Sequence, residues 1–134
     1  MPRAVPPVTD EDNRFFWNGV REGRLRIQRC AHCGRVRHPP GPMCPECRSL
    51  EWEAVTSSGR GSIYSWVVSH HPTEPDAEPR IVVLVELEEG VRLVANLQGL
   101  PWEEVRNDLP VEVFFADVDG VRLPQFRVRQ GEGA

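Results

Sequence analysis

The sequence contains no lysine and no long hydrophobic run. It contains sixteen arginines instead. Each arginine side chain ends in a planar guanidinium group whose several hydrogen-bond donors suit carboxylates and phosphates. No segment approaches the ~20 consecutive apolar residues that a membrane span requires. Residues 1–7 lack the apolar core of a secretion signal. These absences predict a cytoplasmic protein without a membrane partner.

Catalytic motifs are missing as well. The chain has no GxSxG segment, no glycine-rich phosphate loop and no cysteine outside two CxxC pairs. His70 and His71 have no nucleophile or acid partner in a recognisable motif, so they are either solvated imidazoles or contacts for a ligand or partner. We therefore expect no catalytic residue in this chain, and its participation in an enzyme would depend on its partners.

The four cysteines are the strongest signal that is present. Cys30, Cys33, Cys44 and Cys47 form two CxxC pairs separated by ten residues, and four thiolates are a ligand set of structural zinc sites. Cysteine pairs without a secretion signal favour a metal in a reducing compartment over disulfide bonds. The spacing predicts one structural Zn²⁺ per chain, with iron as the alternative, and His32 is not needed as a ligand.

Three parts of the chain are predicted. They are an N-terminal helical arm (1–24), a zinc ribbon (25–58) and a β-rich domain (59–134). The helix of the arm is expected to begin with Thr9 or Asp10 as its N-cap and to stop at Gly23. In the ribbon, each CxxC turn is expected to be carried by a hairpin.

The β-rich domain has five predicted strands. They cover residues 62–69, 80–87, 91–97, 111–115 and 121–128, with a short helical turn at 101–105. Asp119 and Gly120 are a favoured hairpin dipeptide. The strand order along the chain predicts a small closed barrel of the OB type, so the fold class is mainly β with a short N-terminal helix, a zinc ribbon and a five-stranded OB-fold barrel.

The first barrel strand carries two aromatic residues. Strict alternation places Tyr64 and Trp66 on one face of this strand and Ile63 and Val67 on the other. Aromatic side chains on an OB sheet can stack nucleobases, but in an acidic barrel they are more often part of the core or of a partner surface.

Charge is divided unevenly along the chain. Residues 1–50 contain nine arginines and five acidic residues, whereas residues 51–134 contain seven arginines and fifteen acidic residues. The basic half includes six arginines within seventeen residues: Arg21, Arg24, Arg26, Arg29, Arg35 and Arg37. This cluster is a solvated surface, or it meets the phosphates of a nucleotide-like cofactor or an acidic partner. The acidic barrel would repel a nucleic-acid backbone, so no nucleic acid is expected.

Three consecutive aromatic residues lie in the predicted helix. Phe15, Phe16 and Trp17 cannot all face one small core. Either Phe16 and Val20 pack inward while the other two lie on the surface, or the helix docks on a partner through exposed aromatic anchors.

These features resemble one known family along almost the whole chain. The matching residues are Phe16, Trp17, Glu22, Gly23, Arg24, Leu25, Gln28, Arg29, Cys30, Cys33, Gly34, Pro39, Pro40, Cys44, Pro45, Cys47, Gly59, Arg60, Gly61, Tyr64, Ser65, Trp66, His70, Leu123, Pro124 and Phe126. Their order resembles that of the zinc-ribbon/OB-fold proteins once called domain of unknown function 35. Arg48 departs from the pattern, because glycine is common there, and this concerns only the local turn.

The resemblance implies a helical arm, a rubredoxin-like zinc ribbon and an OB barrel. It also implies an acyl-CoA-associated accessory subunit of a thiolase-superfamily enzyme, most specifically an aldolase that shortens a steroid side chain, with a MaoC-like enoyl-CoA hydratase as a possible second partner. In this hypothesis the partner contacts are Phe15, Phe16, Trp17, Tyr64, Trp66 and His70, and the phosphate or CoA contacts are Arg35 and Arg37. The alternatives are a single-stranded nucleic-acid-binding protein and a small iron electron carrier.

Overall fold

The fold is mainly β, as predicted. A computed structural model of the chain describes residues 7, 9–74 and 76–129; the first residues of the predicted arm and the last residues of the predicted barrel lie outside this range. In chain order the elements are α1 (Arg14–Arg21), β1 (Arg26–Cys30), β2 (Val36–Arg37), β3 (Trp52–Thr56), β4 (Arg60–Ser69), β5 (Arg80–Leu87), β6 (Arg92–Asn96), a 3₁₀ turn (Trp102–Glu104), β7 (Pro110–Val118) and β8 (Val121–Val128). No helix among the described residues is long and apolar enough to cross a membrane.

Helix α1 begins later than predicted. The N-cap position is Asn13 rather than Thr9 or Asp10. The Asp10 carboxylate instead accepts hydrogen bonds from the backbone amides of Asp12 and Asn13, each at 2.9 Å, and thereby closes a turn before the helix. The predicted end is confirmed, because Gly23 adopts a left-handed conformation with φ of 77° directly after the helix.

The first sheet contains a strand that was not predicted. Its order is β2-β1-β3, and β3 pairs with β1 from Arg26 opposite Thr56 to Cys30 opposite Trp52. The first CxxC turn lies in the β1–β2 hairpin as expected. The second does not lie on a hairpin of its own, because the chain reaches it through the proline-rich segment 39–42 and continues into β3.

A buried glutamine holds this proline-rich segment against the sheet. The side chain of Gln28 is 1% exposed. Its amide nitrogen donates to the carbonyl oxygen of Gly41, and its amide oxygen accepts from the Gly41 backbone amide, both at 2.9 Å. Because both ends of the buried amide are satisfied, burial carries no desolvation penalty from an unpaired group.

The second sheet has the connectivity of an OB barrel. Its strand order is β6-β5-β4-β7-β8, and the predicted two-residue turn at Asp119 and Gly120 joins β7 to β8. Among the described residues, the two edges of the sheet are joined by a single parallel bridge, between Leu97, directly after β6, and Phe126 of β8. The prediction of a closed barrel is therefore wrong in this respect: the barrel is partly open, which the OB fold allows.

A β-bulge overturns the predicted alternation in β4. The register with β5 shifts between Ile63 and Ser65, so Ile63 lies opposite Val85 and Trp66 lies opposite Val83. Trp66 consequently packs against the core on the side of Ile63, whereas Tyr64 and Val67 are exposed. A bulge adds one residue to one strand and reverses the faces beyond it, which strict alternation cannot anticipate.

One hydrophobic core connects the arm, the ribbon and the barrel. It joins Phe16 and Val20 of α1 to Leu25 and Ile27 near β1 and to barrel residues such as Phe126, which is fully buried. This confirms the interpretation in which Phe16 and Val20 face inward. Since all three parts contribute to the same core, their relative orientation is set by packing.

The connection between the two sheets is clamped by an acidic turn. The Ser57 hydroxyl donates to one carboxylate oxygen of Glu89 at 2.6 Å, and the Ser58 amide donates to the other at 2.9 Å. Gly61, three residues after Ser58, lies so close to β5 that a Cβ atom there would overlap the Glu86 carbonyl oxygen. The clamp and the close strand contact fix how the ribbon enters the barrel.

Replacing Gly61 with alanine should therefore destabilise the barrel. Relief of the overlap with Glu86 requires β4 and β5 to separate locally, so we expect a loss of about 1–3 kcal/mol in the free energy of unfolding, measured by urea denaturation. Gly41→Ala is the matched control, because nothing lies within 4 Å of the position that its Cβ would take. Equal losses for the two substitutions would contradict the close contact.

Candidate metal centre and adjoining surfaces

Two similar turns bring the four cysteines together. In the first, the Gly34 amide donates to the Cys30 carbonyl at 3.0 Å, and in the second the Arg48 amide donates to the Cys44 carbonyl at 2.9 Å. Gly34 and Arg48 both have left-handed backbones, with φ of 81° and 65°. Arg48 thus adopts the conformation that glycine would supply, and the departure from the family pattern leaves the turn intact.

The four sulfur atoms form a compact cluster. They all lie within 4.8 Å of one another, with Sγ–Sγ distances of 3.5 Å between Cys30 and Cys47 and 3.7 Å between Cys33 and Cys44. A tetrahedral metal with ~2.3 Å bonds to sulfur has edges of ~3.8 Å. The cysteines therefore fit a tetrahedral metal ion, and four protein ligands would leave no position for water or substrate. The site is suited to a structural role.

Hydrogen bonds from backbone amides lower the pKa of two of the four thiols and so favour their thiolate forms. The backbone amides of Cys33 and His32 each donate a hydrogen bond to the Cys30 sulfur at 3.4 Å. These bonds, that of Cys33 most of all, lower the pKa of Cys30 to about 6, although burial acts in the opposite direction. The amide of Cys47 lowers the pKa of Cys44. At Cys47 the Ser49 amide acts in the lowering direction, but burial and the neighbouring cysteines outweigh it and raise the pKa to about 12. A metal ion would displace the remaining proton.

The three aromatic residues of α1 are distributed between the cluster and a groove. The ring of Phe15 packs on Trp52 with centroids 4.7 Å apart, and Trp52 lies opposite Cys30 in the sheet. The rings of Phe16 and Trp17 form an edge-to-face pair at 5.0 Å. Phe15 and Trp17 are half-buried rather than fully exposed, so the predicted docking helix presents only parts of its aromatic rings.

Trp17 borders a groove between the helix, the ribbon and the barrel. We call it the arm groove; it has a volume of about 560 Å³, and its lining residues are Asn13, Phe16, Trp17, His38, Pro39, Pro40, Leu84, Arg92, Leu93, Val94 and Pro124. Burial lowers the pKa of His38, so its imidazole is neutral at pH 7. The groove is consequently mostly apolar, and Val94 on its barrel side is 63% exposed.

The other predicted partner contacts lie on different parts of the barrel. Tyr64 is exposed, and the guanidinium of Arg92 lies 3.6 Å from the centre of its ring. Because Arg92 lines the arm groove, Tyr64 lies beside this groove. Trp66 belongs to the core side of β4. His70 meets Trp102 edge to face at 6.3 Å, and neither residue lines the groove.

The two predicted phosphate contacts already have partners within the ribbon. Arg35 forms an ion pair with Glu46 at 3.0 Å, and its side chain is 54% exposed. Arg37 donates to the Gly41 carbonyl at 3.0 Å. Exposed ion pairs contribute little stability, so Arg35 remains able to exchange its partner, whereas Arg37 is part of the contact that holds the proline-rich segment.

The fold and the four-cysteine cluster define a protein with a zinc-ribbon domain and an OB domain. A family model described as "ChsH2, rubredoxin-like zinc ribbon domain" matches residues 17–53, and one described as "ChsH2, C-terminal OB-fold domain" matches residues 54–116. The DUF35 domain-containing scaffold protein of Methanocaldococcus jannaschii is 33% identical over 103 residues, which are 74% of this chain and 73% of that protein. The chain therefore belongs to the DUF35 family, and its two domains match the models of the ChsH2 domains.

Other curated relatives and one solved structure are also similar to this chain. The 3-oxo-4,17-pregnadiene-20-carboxyl-CoA hydratase alpha subunit of Mycobacterium tuberculosis is 43% identical over 112 residues, which are 83% of this chain and 36% of that subunit. The benzoylsuccinyl-CoA thiolase subunit BbsA of Thauera aromatica is 32% identical over 110 residues, which are 79% of this chain and 76% of that subunit. A chain of a solved structure described as "Ltp2-ChsH2(DUF35) aldolase" matches with a TM-score of 0.85 and 44% identity over 91% of this chain and 98% of that chain. The chain spans only 36% of the Mycobacterium tuberculosis hydratase alpha subunit and 41% of a probable enoyl-CoA hydratase alpha subunit of Thermomonospora curvata, to which it is 45% identical over 130 residues.

Removal of one buried thiol should abolish metal binding. In Cys44→Ser the buried ligand is lost, and we expect the metal content measured by mass spectrometry to fall from about one ion per chain to near zero. His32→Ala is the control, because only the backbone of His32 contacts the cluster, and it should retain the metal. Metal loss in the His32 variant, or retention in the Cys44 variant, would contradict a four-thiolate site.

Proposed function

We propose that this chain is a non-catalytic accessory subunit of a thiolase-superfamily enzyme that acts on acyl-CoA, most specifically an aldolase that cleaves a steroid side chain. The observation that carries this proposal is the match to a chain of the Ltp2-ChsH2(DUF35) aldolase, of which 98% is covered at 44% identity. A similarity of this extent makes an equivalent position in an equivalent assembly the simplest expectation.

The relatives support both parts of the proposal. BbsA is named as a benzoylsuccinyl-CoA thiolase subunit, and this chain covers 76% of it at 32% identity, so a protein that is similar to this chain over most of its own length is a subunit of a thiolase. The pregnadiene carboxyl-CoA hydratase subunit favours a steroid acyl-CoA as the substrate class. A MaoC-like enoyl-CoA hydratase is accordingly the second proposed partner, either in a separate chain or in the same polypeptide.

The chemistry of the chain agrees with a role without catalysis of its own. Four thiolates around one ion form a closed site, which stabilises structure and does not activate water. We infer that the ion is zinc, since the site is a ribbon with four sulfur ligands, and that the protein works in the reducing cytoplasm, where paired cysteines stay available to a metal. Iron would colour the purified protein, and zinc would not.

The arm groove is the surface that we assign to the partner. It is apolar, it is bordered by aromatic residues of the helix, and Tyr64 with its overlying Arg92 extends it across the barrel. Aromatic and arginine side chains are enriched among the residues that dominate interface energies. Of the remaining predicted contacts, Arg35 is the one whose exposed guanidinium could meet a CoA phosphate. The nucleic-acid alternative gains no specific support, because Arg29 and Arg35 in the basic cluster pair with Glu53 and Glu46.

Co-expression with a thiolase-like protein encoded beside this chain tests the proposal. We expect the two proteins to elute as one complex in size-exclusion chromatography, because the accessory chain has no activity to perform alone. Separate elution of two folded proteins at micromolar concentration would contradict the proposal.

A substitution pair tests the position of the interface. Val94→Glu introduces a charge into the apolar arm groove and should weaken binding by at least about tenfold, since burying an unpaired carboxylate is costly. Leu50→Glu is the matched control, because Leu50 is exposed to a similar degree, at 69% against 63% for Val94, and does not line the groove. Affinities measured by calorimetry that are equal for both variants would exclude the groove as the interface.

A further inference from the structure

A second concave surface lies where the arm and the barrel meet the linker, which is the segment 57–59 between β3 and β4. We call it the arginine cleft; it has a volume of about 440 Å³ and is lined by Gly23, Arg24, Leu25, Thr56, Ser57, Ser58, Val113, Phe114, Phe115, Arg122 and Arg127. Of the arginine cluster that the sequence offered as a phosphate or partner contact, only Arg24 lines it, and none of the six aromatic and histidine residues predicted as partner contacts does. Its size falls within the range of pockets that hold small-molecule ligands.

The cleft concentrates positive charge in an acidic protein. Its lining contains three guanidinium groups and no carboxylate, although the net charge of the chain is −4. Arg127 is paired with Glu112 at 2.9 Å. Within the described part of the chain, neither Arg24 nor Arg122 forms an ion pair, although Asp117 lies opposite Arg122 in the β7–β8 pairing. Both guanidinium groups are therefore available to an added anion.

Two of the three guanidinium groups are held in defined positions. Arg122 donates to the backbone carbonyl of Arg21 at 3.1 Å, and its guanidinium lies 5.9 Å from the centre of the Phe115 ring. Arg127 lies 5.3 Å from the centre of the Phe114 ring. A guanidinium that is fixed by one hydrogen bond and an aromatic neighbour still presents its other donors to a ligand.

The hydroxyl groups of the cleft are only partly available. Those of Ser57 and Ser58 donate to Glu89 and Glu88, and they hold the linker in place rather than facing a ligand as free donors. The Thr56 hydroxyl has no such hydrogen bond to any described residue, and Thr56 lines the cleft. Free donors in the cleft therefore come mainly from Arg24 and Arg122, with Thr56 beside them.

We propose that the arginine cleft binds a phosphate group of a nucleotide-sized ligand. A phosphate presents several oxygens with a charge near −2, which two guanidinium forks can hold at once, whereas a single carboxylate would satisfy only one fork. The phosphate belongs either to a free nucleotide or to the nucleotide end of an acyl-CoA, and the second source rests on the proposed function. In either case the ligand is anchored at the arm–barrel junction, away from the arm groove.

Calorimetric titration of the full chain with adenosine 3′,5′-bisphosphate, ADP and coenzyme A tests this site. We expect binding that weakens as salt increases, because exposed charges are screened. Preference for coenzyme A and the 3′,5′-bisphosphate over ADP would identify the CoA source, and equal binding of all three would identify a general nucleotide phosphate. Failure of all three to bind at low salt would overturn the proposal.

Matched variants locate the binding within the molecule. Arg24→Gln removes a guanidinium group that has no ion pair, so the stability of the fold should not change. We expect this substitution to weaken binding of adenosine 3′,5′-bisphosphate by about tenfold, and Arg122→Gln to weaken it by a similar factor. Arg106→Gln makes the same charge change at an exposed position outside the cleft and should leave the affinity within about twofold. Equal affinities for the Arg24 and Arg106 variants would overturn the assignment, while complex formation with the thiolase-like partner, measured in parallel, reports separately on the proposed function.

Discussion

The structure depends first on the four sulfur atoms at the base of the ribbon. Between residues 31 and 56 the only buried side chain is Cys44, so this half of the ribbon has almost no hydrophobic core. Segments that cannot bury enough apolar surface require cross-links or metal ions. The contacts that remain are the pairing of β1 with β3, the amide of Gln28 on Gly41 and the ring of Phe15 on Trp52. The first two of these contacts join segments that lead into or out of the CxxC turns, and Trp52 lies opposite Cys30 in the sheet.

The metal site is therefore the means by which other surfaces acquire a fixed geometry. The ribbon orders the proline-rich segment, this segment forms one wall of the arm groove, and the shared core around Phe16 and Phe126 sets the helix against the barrel. The same junction, seen from the linker side, creates the arginine cleft. We propose that the chain contributes to an enzyme in this way, by presenting an apolar groove and a cationic cleft at a defined distance from each other.

Local chemistry made part of this architecture predictable from the sequence. The CxxC pairs, the stop at Gly23 and the hairpin at Asp119 and Gly120 depend on residues that are close together in the chain. The bulge in β4, the pairing of β3 with β1 and the late start of α1 at Arg14 depend on tertiary context, and prediction failed there. The arginine cleft also depends on tertiary context and was not predicted. Arg24 and Arg122 are almost a hundred residues apart in sequence, and no local sequence pattern indicates that they line one cavity.

We propose that this chain supports the chemistry of a partner enzyme and performs none itself. This role is tested by measuring the cleavage rate of a steroid side-chain acyl-CoA with the purified chain, with a purified thiolase-like partner, and with both together at equal concentration. We expect no turnover by the chain on its own and a clear increase in the rate of the partner when the metal-loaded chain is added. Turnover by the chain alone, or a partner rate that is the same with and without it, would contradict a supporting role.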